Sequence, residues 1–218
     1  MIDKQKNRRT AIRVVLPFIF RHWRSQPWLT SGISLAIVGA TVADVFMPLF
    51  AGKLVDAVAL GATDMDAAKS GAIFAFCAII ALGLAQLALR HLAFWGIVPF
   101  TLKVMSDISR DAFHLVQRFS TDWHANSFAG STVRKITRGM WAVDLLDDTI
   151  LLALLPSVVV LAGSTVLLGI HWPALGAVIA IGSIAYIAMT VVFSTKYIAP
   201  AARVSNEWDT KVGGTLAD

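Results

Sequence analysis

Apolar residues in this chain run in unbroken blocks too long for the core of a soluble domain. From Trp28 to Phe50 the only charge is Asp44, and from Ala72 to Leu102 the only charge is Arg90. From Thr149 to Thr195 no Asp, Glu, Lys or Arg occurs. About 20 apolar residues, rising 1.5 Å each, cross a hydrocarbon core of about 30 Å. The first two blocks therefore predict one membrane-spanning helix each. The third would measure about 70 Å as a single helix, twice a bilayer, so it predicts two helices and a reversal. His171-Trp172-Pro173 is the expected reversal, because proline cannot continue a helix interior and an aromatic side chain anchors at the interface. The predicted spans are 28–50, 72–102, 149–170 and 174–195.

The polar segment 103–148 keeps a helical period. Val104, Ile108, Ala112, Leu115 and Phe119 recur at steps of three and four, as do Val133, Ile136, Met140 and Val143. Between them, residues 120–130 are rich in capping and turn types. The second and third spans thus continue out of the membrane as a long helical hairpin with a small aromatic knuckle carrying Trp123 and Phe128. Exposed aromatics at a tip either dock another protein or pack back onto the hairpin, and periodicity leaves both readings open.

Composition agrees with the membrane. Of 218 residues, 56% are hydrophobic and 15% charged, against roughly 45–50% and 25% in soluble domains. Disordered, collagenous and disulfide-stapled classes are excluded, and the single cysteine, Cys77, reads as a buried free thiol. A net charge of +5 raises the question of nucleic acid. Topology answers it: residues 1–27, the 103–148 segment and the tail from Ser194 hold sixteen of the nineteen Lys and Arg. The positive-inside rule makes that side cytoplasmic, with both termini on it and with no nucleic-acid partner. Residues 1–27, where Arg and Trp interrupt an apolar run, read as an interfacial elbow helix. The run that follows is too long, and lacks a cleavage site, for a secretory signal.

Ionisable groups inside spans are costly and point to function. Asp44, Gln86, Arg90 and His91 are the candidates for a translocation path; the alternative is interfacial solvation or a structural partner. Counted from the outer ends of their predicted spans, Asp44 lies about 9 Å deep and Arg90 about 27 Å, which argues against an ion pair between them. Gly32, Ala36, Ala40 and Ala43 form a stripe for close helix packing, and Gly163, Gly169, Gly176 and Gly182 read the same way. The dispersed histidines and lone cysteine make no metal site, and no catalytic cluster stands out.

Taken together, these residues resemble the transmembrane domain of type 1 ABC exporters. Pro48-Leu49-Phe50-Ala51-Gly52-Lys53-Leu54-Val55-Asp56 looks like the family's pattern at the outer end of helix one. Phe128-Ala129-Gly130-Ser131-Thr132-Val133-Arg134-Lys135-Ile136-Thr137 resembles the stretch after the first coupling helix, with Lys135 where arginine is usual and Gly139 where an aspartate often stands. The tail from Pro200 looks like the approach to the second coupling helix. The resemblance implies an all-α membrane fold, here four transmembrane helices with the 103–148 hairpin as their cytoplasmic extension. It also implies that Trp123, His124, Phe128 and Gly130 couple to a nucleotide-binding domain. The family has six transmembrane helices and a nucleotide-binding domain; four helices and no phosphate loop occur here. ATP, with magnesium, is accordingly expected on a missing domain or another chain, and no cofactor on this one. Expected partners are membrane lipid, that nucleotide-binding domain and a second subunit, identical or not, in the plasma or inner membrane. The competing reading is a stand-alone four-helix membrane scaffold that docks a partner through the hairpin; a membrane-embedded enzyme is the weakest.

Overall fold

In the computed structural model, residues 15–61, 63–121 and 129–215 are described, and among them there is no strand. The chain divides into two compact units, Met1–Val160 and Leu161–Asp218. Four helices are long and apolar enough to cross a membrane: Pro27–Leu60, Met65–Gln117, Thr132–His171 and Pro173–Ser205. The fold is that of an all-α, multi-pass membrane protein.

Within the first unit, residues 15–25 form helix α1. Pro27 explains why it stops. The residue before a proline is kept from helical conformation, and Gln26 sits at φ −129°, ψ 58°. The proline then opens α2 (Pro27–Leu60), where its missing N–H costs nothing. The backbone N–H groups of Thr63 and Asp64 both bond the Leu60 carbonyl, at 2.9 and 3.0 Å, just before α3 (Met65–Gln117), 53 residues long. Asp64 caps α3, its carboxylate accepting from the backbone N–H groups of Asp66 and Ala67 at 3.2 and 3.0 Å. Both helices run beyond the apolar blocks, so the stretch between them is a tight helical hairpin.

Close packing of α2 on α3 follows from small residues. Ala36, Ala40 and Ala43 are buried against α3, as are Ile33 and Ile37 between them, whereas Gly32 is exposed and touches nothing. At Gly96 a methyl group would lie 2.8 Å from Ile33, which shows how near the helices come. The register is regular: Ile33 faces Gly96, Gly39 faces Leu89, Met47 faces Gly83 and Ala57 faces Gly71. Near the Gly61 end, Phe50 packs on Phe74 and Lys53 lies 5.1 Å from the Phe50 ring. Cys77, expected to be buried, is exposed: it lies on the face of α3 turned away from α2, next to the buried Ala75 that faces inward.

Helix α4 (Ala129–Asp148) returns along α3, and a π-helical stretch, Thr149–Leu154, links it to α5 (Leu155–His171). Pro156 accounts for the π turn. Its ring clashes with the carbonyl four residues back and it has no N–H, so Leu155 bonds instead to Ile150, five residues back. The core gathers at the end remote from Gly61: Phe100, Val104 and Ile108 of α3, Leu151 of the π stretch, and Ile33, Ala36 and Ile37 of α2, flanked by Phe18, Trp23, Met140 and Val143. Beyond this base the predicted seam is less buried at two of its positions, Leu115 and Val133, which are 59% and 62% exposed.

In the second unit the helix breaks at Trp172, φ −140°, and Pro173 opens α6 (Pro173–Phe193). A Cβ on Gly176 would sit 2.6 Å from the Gly169 Cα, so only glycine permits this close approach of two backbones. A second π stretch, Ser194–Ile198, precedes Pro200 just as the first precedes Pro156, and α7 (Ala199–Thr215) follows.

Candidate functional site

Asp44 and Arg90 meet. The Arg90 guanidinium donates to the Asp44 carboxylate at 3.2 Å, overturning the expectation from depth that they are too far apart. That expectation measured each residue from the end of its apolar block, but α2 continues to Leu60 and α3 starts at Met65. The observed register sets residue 85 opposite Asp44, leaving Arg90 only five residues, about 7.5 Å, beyond. Side chains lean toward the N-terminus of their own helix. Because α2 and α3 are antiparallel, Asp44 leans toward Arg90 and Arg90 toward Asp44, and the pair closes that gap.

Beside this pair is a cavity of about 240 Å³, lined by Ile37, Ala40, Thr41, Arg90, Ala93, Phe94, Leu152 and Pro156. Its walls come from α2, from α3 and from the π turn. Thr41 is turned inward, its hydroxyl donating to the Ile37 carbonyl at 2.7 Å. Arg90 is therefore the one charged group on the wall, and Asp44 reaches the cavity only through it. Gln86 and His91 are not among the lining residues; the His91 ring leans on Trp95, with centroids 5.3 Å apart, on an exposed face of α3. Of the four path candidates the structure brings together two. Trp123, His124 and Phe128 lie outside the described residues, and Gly130 lies in the first turn of α4.

A second polar cluster sits where α1 meets the hairpin base. The Trp23 indole N–H donates to Asp147 at 2.9 Å, and its ring packs edge-on against Phe100. Asp147 is only 3% exposed. It precedes Thr149, where the uncharged stretch begins, outside the predicted span 149–170. Burial pushes its carboxyl up to about 6; the Trp23 hydrogen bond opposes that, and Asp144 and Asp148 add to it. Burial and Asp144 raise Asp148 as well. His22, buried on α1, faces the same cluster and bonds the Phe18 carbonyl at 2.9 Å through Nδ1. On the outer side of α1, Arg21 pairs with Asp111 of α3 at 2.9 Å. Helix α1 is thus tied to both arms of the hairpin. The sequence carried a signal for this, three aspartates at 144, 147 and 148 just before an uncharged run, but nothing in it paired Asp147 with a tryptophan 124 residues away.

Among the described residues no His, Cys, Asp or Glu group could hold a metal ion. What remains is a charged pair at an apolar cavity between helices, joined to a stiff extension braced by α1. No curated protein matches the chain. The family model for the ABC transporter transmembrane region matches residues 31–208. Over most of its length, then, this chain is a transmembrane portion of a transporter, and it belongs to the ABC transporter transmembrane family.

Proposed function

We propose that the chain forms part of the solute path of an ATP-driven exporter, and that a nucleotide-binding domain, covalently attached or carried by another polypeptide, drives it through the 103–148 hairpin. The observation that carries this reading is the pairing of a family match over residues 31–208 with long α3 and α4 extensions joined at a short aromatic-bearing segment. In this reading Trp123, His124 and Phe128 seat in a groove on the nucleotide-binding domain, and Gly130 belongs to the same coupling segment. A helix conveys displacement best without proline or glycine; between Lys103 and Gln117 α3 has neither, and in α4 Gly139 is the one glycine after Gly130. The hairpin, both termini and α1 face the cytoplasm of a cell bounded by the plasma or inner membrane, following the basic residues. Asp44 and Arg90 border the path, Gln86 and His91 flank it from α3, and a second subunit completes it.

The test is Trp123→Ala in the full assembly, reconstituted in liposomes. The expected result is ATP hydrolysis that no longer drives solute movement, with membrane insertion intact. Unchanged coupling would contradict the assignment of the knuckle.

A further inference from the structure

We propose that the cavity beside Arg90 selects amphipathic solutes carrying an anionic group, with Arg90 as the specificity-determining residue; this rests on the reading of the chain as part of a solute path. Three observations carry it. The wall is apolar apart from Thr41 and Arg90, and the Thr41 hydroxyl is already committed to the Ile37 carbonyl. A hydrocarbon or aromatic body therefore meets matching surface, and an anionic head finds one side-chain donor free to bind it.

That group keeps capacity for a ligand. Its contact with Asp44 is a single N–H at 3.2 Å, longer than a usual charge-assisted bond and not the two-pronged grip a guanidinium can make with a carboxylate. Arg90 is 55% exposed and Asp44 34% exposed, so the guanidinium is reachable while its partner sits one step behind it. Asp44 offsets the cost of an arginine in a span and aims it. A carboxylate, sulfonate or phosphate head at the cavity would take the remaining donors in a fork. A cationic head would meet Arg90 itself and be repelled.

The probes are a medium-chain fatty acid bearing a photoactivatable diazirine and the matching fatty alcohol, applied to the full chain in lipid nanodiscs. Labelling at cavity residues Thr41, Ala93 and Leu152 is read by mass spectrometry against labelling at Leu84, an exposed residue of α3 that reports insertion and general lipid contact. The acid should label the cavity about tenfold more than the alcohol, the size of effect expected for one charge-assisted hydrogen bond. Arg90→Gln should abolish that preference, Arg90→Lys should retain part of it, and Asp44→Asn should leave it intact or raise it by freeing the guanidinium. Two results would overturn the proposal: equal labelling by acid and alcohol, or loss of the preference in Asp44→Asn as complete as in Arg90→Gln, which would make the pair structural. Because labelling needs no ATP, the underlying reading is tested separately. Cavity labelling without head-group preference sinks the anion selection alone, and no cavity labelling by either probe sinks the solute path with it.

Discussion

The Asp44–Arg90 pair and the Trp23–Asp147 bond are each made by two residues far apart in the chain. Asp147 yields a pH dependence. Its pKa is raised in the folded protein to about 6 from 3.8, so the folded state holds the proton more tightly than the unfolded one. The ionised carboxylate therefore costs stability above pH 6, and stability rises as pH falls through 6 toward 4. A difference of about two units corresponds to about 3 kcal/mol as an upper bound. Thermal unfolding in detergent should show a higher midpoint at pH 5 than at pH 7.5, and Asp147→Asn should be more stable at pH 7.5 and largely lose the dependence. An unchanged pH profile in that variant would contradict the burial of an ionised group there. Trp23→Phe removes the donor while keeping the ring on Phe100, and should cost about 1–3 kcal/mol at pH 7.5, where Asp147 is charged. The sequence showed Asp44 and Arg90 to be unusual but set them apart, because depth was counted from where apolarity fades. Helices obey hydrogen bonding rather than hydropathy, and the short link between Leu60 and Met65 fixed a register that composition could not.

Helices were legible wherever periodicity or a proline governed them. The uncharged block from Thr149 to Thr195 breaks at Trp172, with Pro173 opening the next helix, and the hairpin arms are helical as their three-and-four spacing predicts. The two π turns were not anticipated, although Pro156 and Pro200 follow them at the same distance. A proline inside an apolar helix announces a defect without saying whether the chain kinks, ends or bulges. Burial was less legible, since exposure depends on neighbours: Leu115 and Val133 fit the hairpin seam and are exposed, and Cys77 is exposed despite its apolar surroundings. Among the glycines read as packing residues, a Cβ on Gly176 would meet the backbone of Gly169, whereas a Cβ built on Gly32, Gly169 or Gly182 would meet nothing. Gly176→Ala should therefore destabilise the protein by about 1–3 kcal/mol, as overpacking does, and Gly182→Ala should be close to neutral. Thermal midpoints of the two variants compare them directly, and equal midpoints would contradict the close approach.

As a whole, the chain is a membrane-spanning domain, and most of its described residues outside the apolar spans are helical too. One-third of the most apolar window of α2 is buried, against 6% in each of the other three spans. In lipid such exposure is no defect, because the bilayer covers apolar side chains and only backbone and polar groups demand internal partners. The fold and family were legible because they rest on apolar length, charge sidedness and motifs spread along the chain, all one-dimensional. The candidate site was half legible, since its charged members stand out in a span whereas Leu152 and Pro156 enter the cavity only through the π turn. The central claim is that this domain works with a nucleotide-binding domain that contacts its hairpin. The most direct measurement is ATP hydrolysis by material captured from source-cell membranes in mild detergent through an N-terminal epitope on the chain. ATPase activity is expected to accompany the captured chain and to be stimulated by transported solute, with that stimulation lost in Trp123→Ala. Captured material that hydrolyses no ATP, while the chain remains folded and inserted, would contradict it and favour a membrane scaffold.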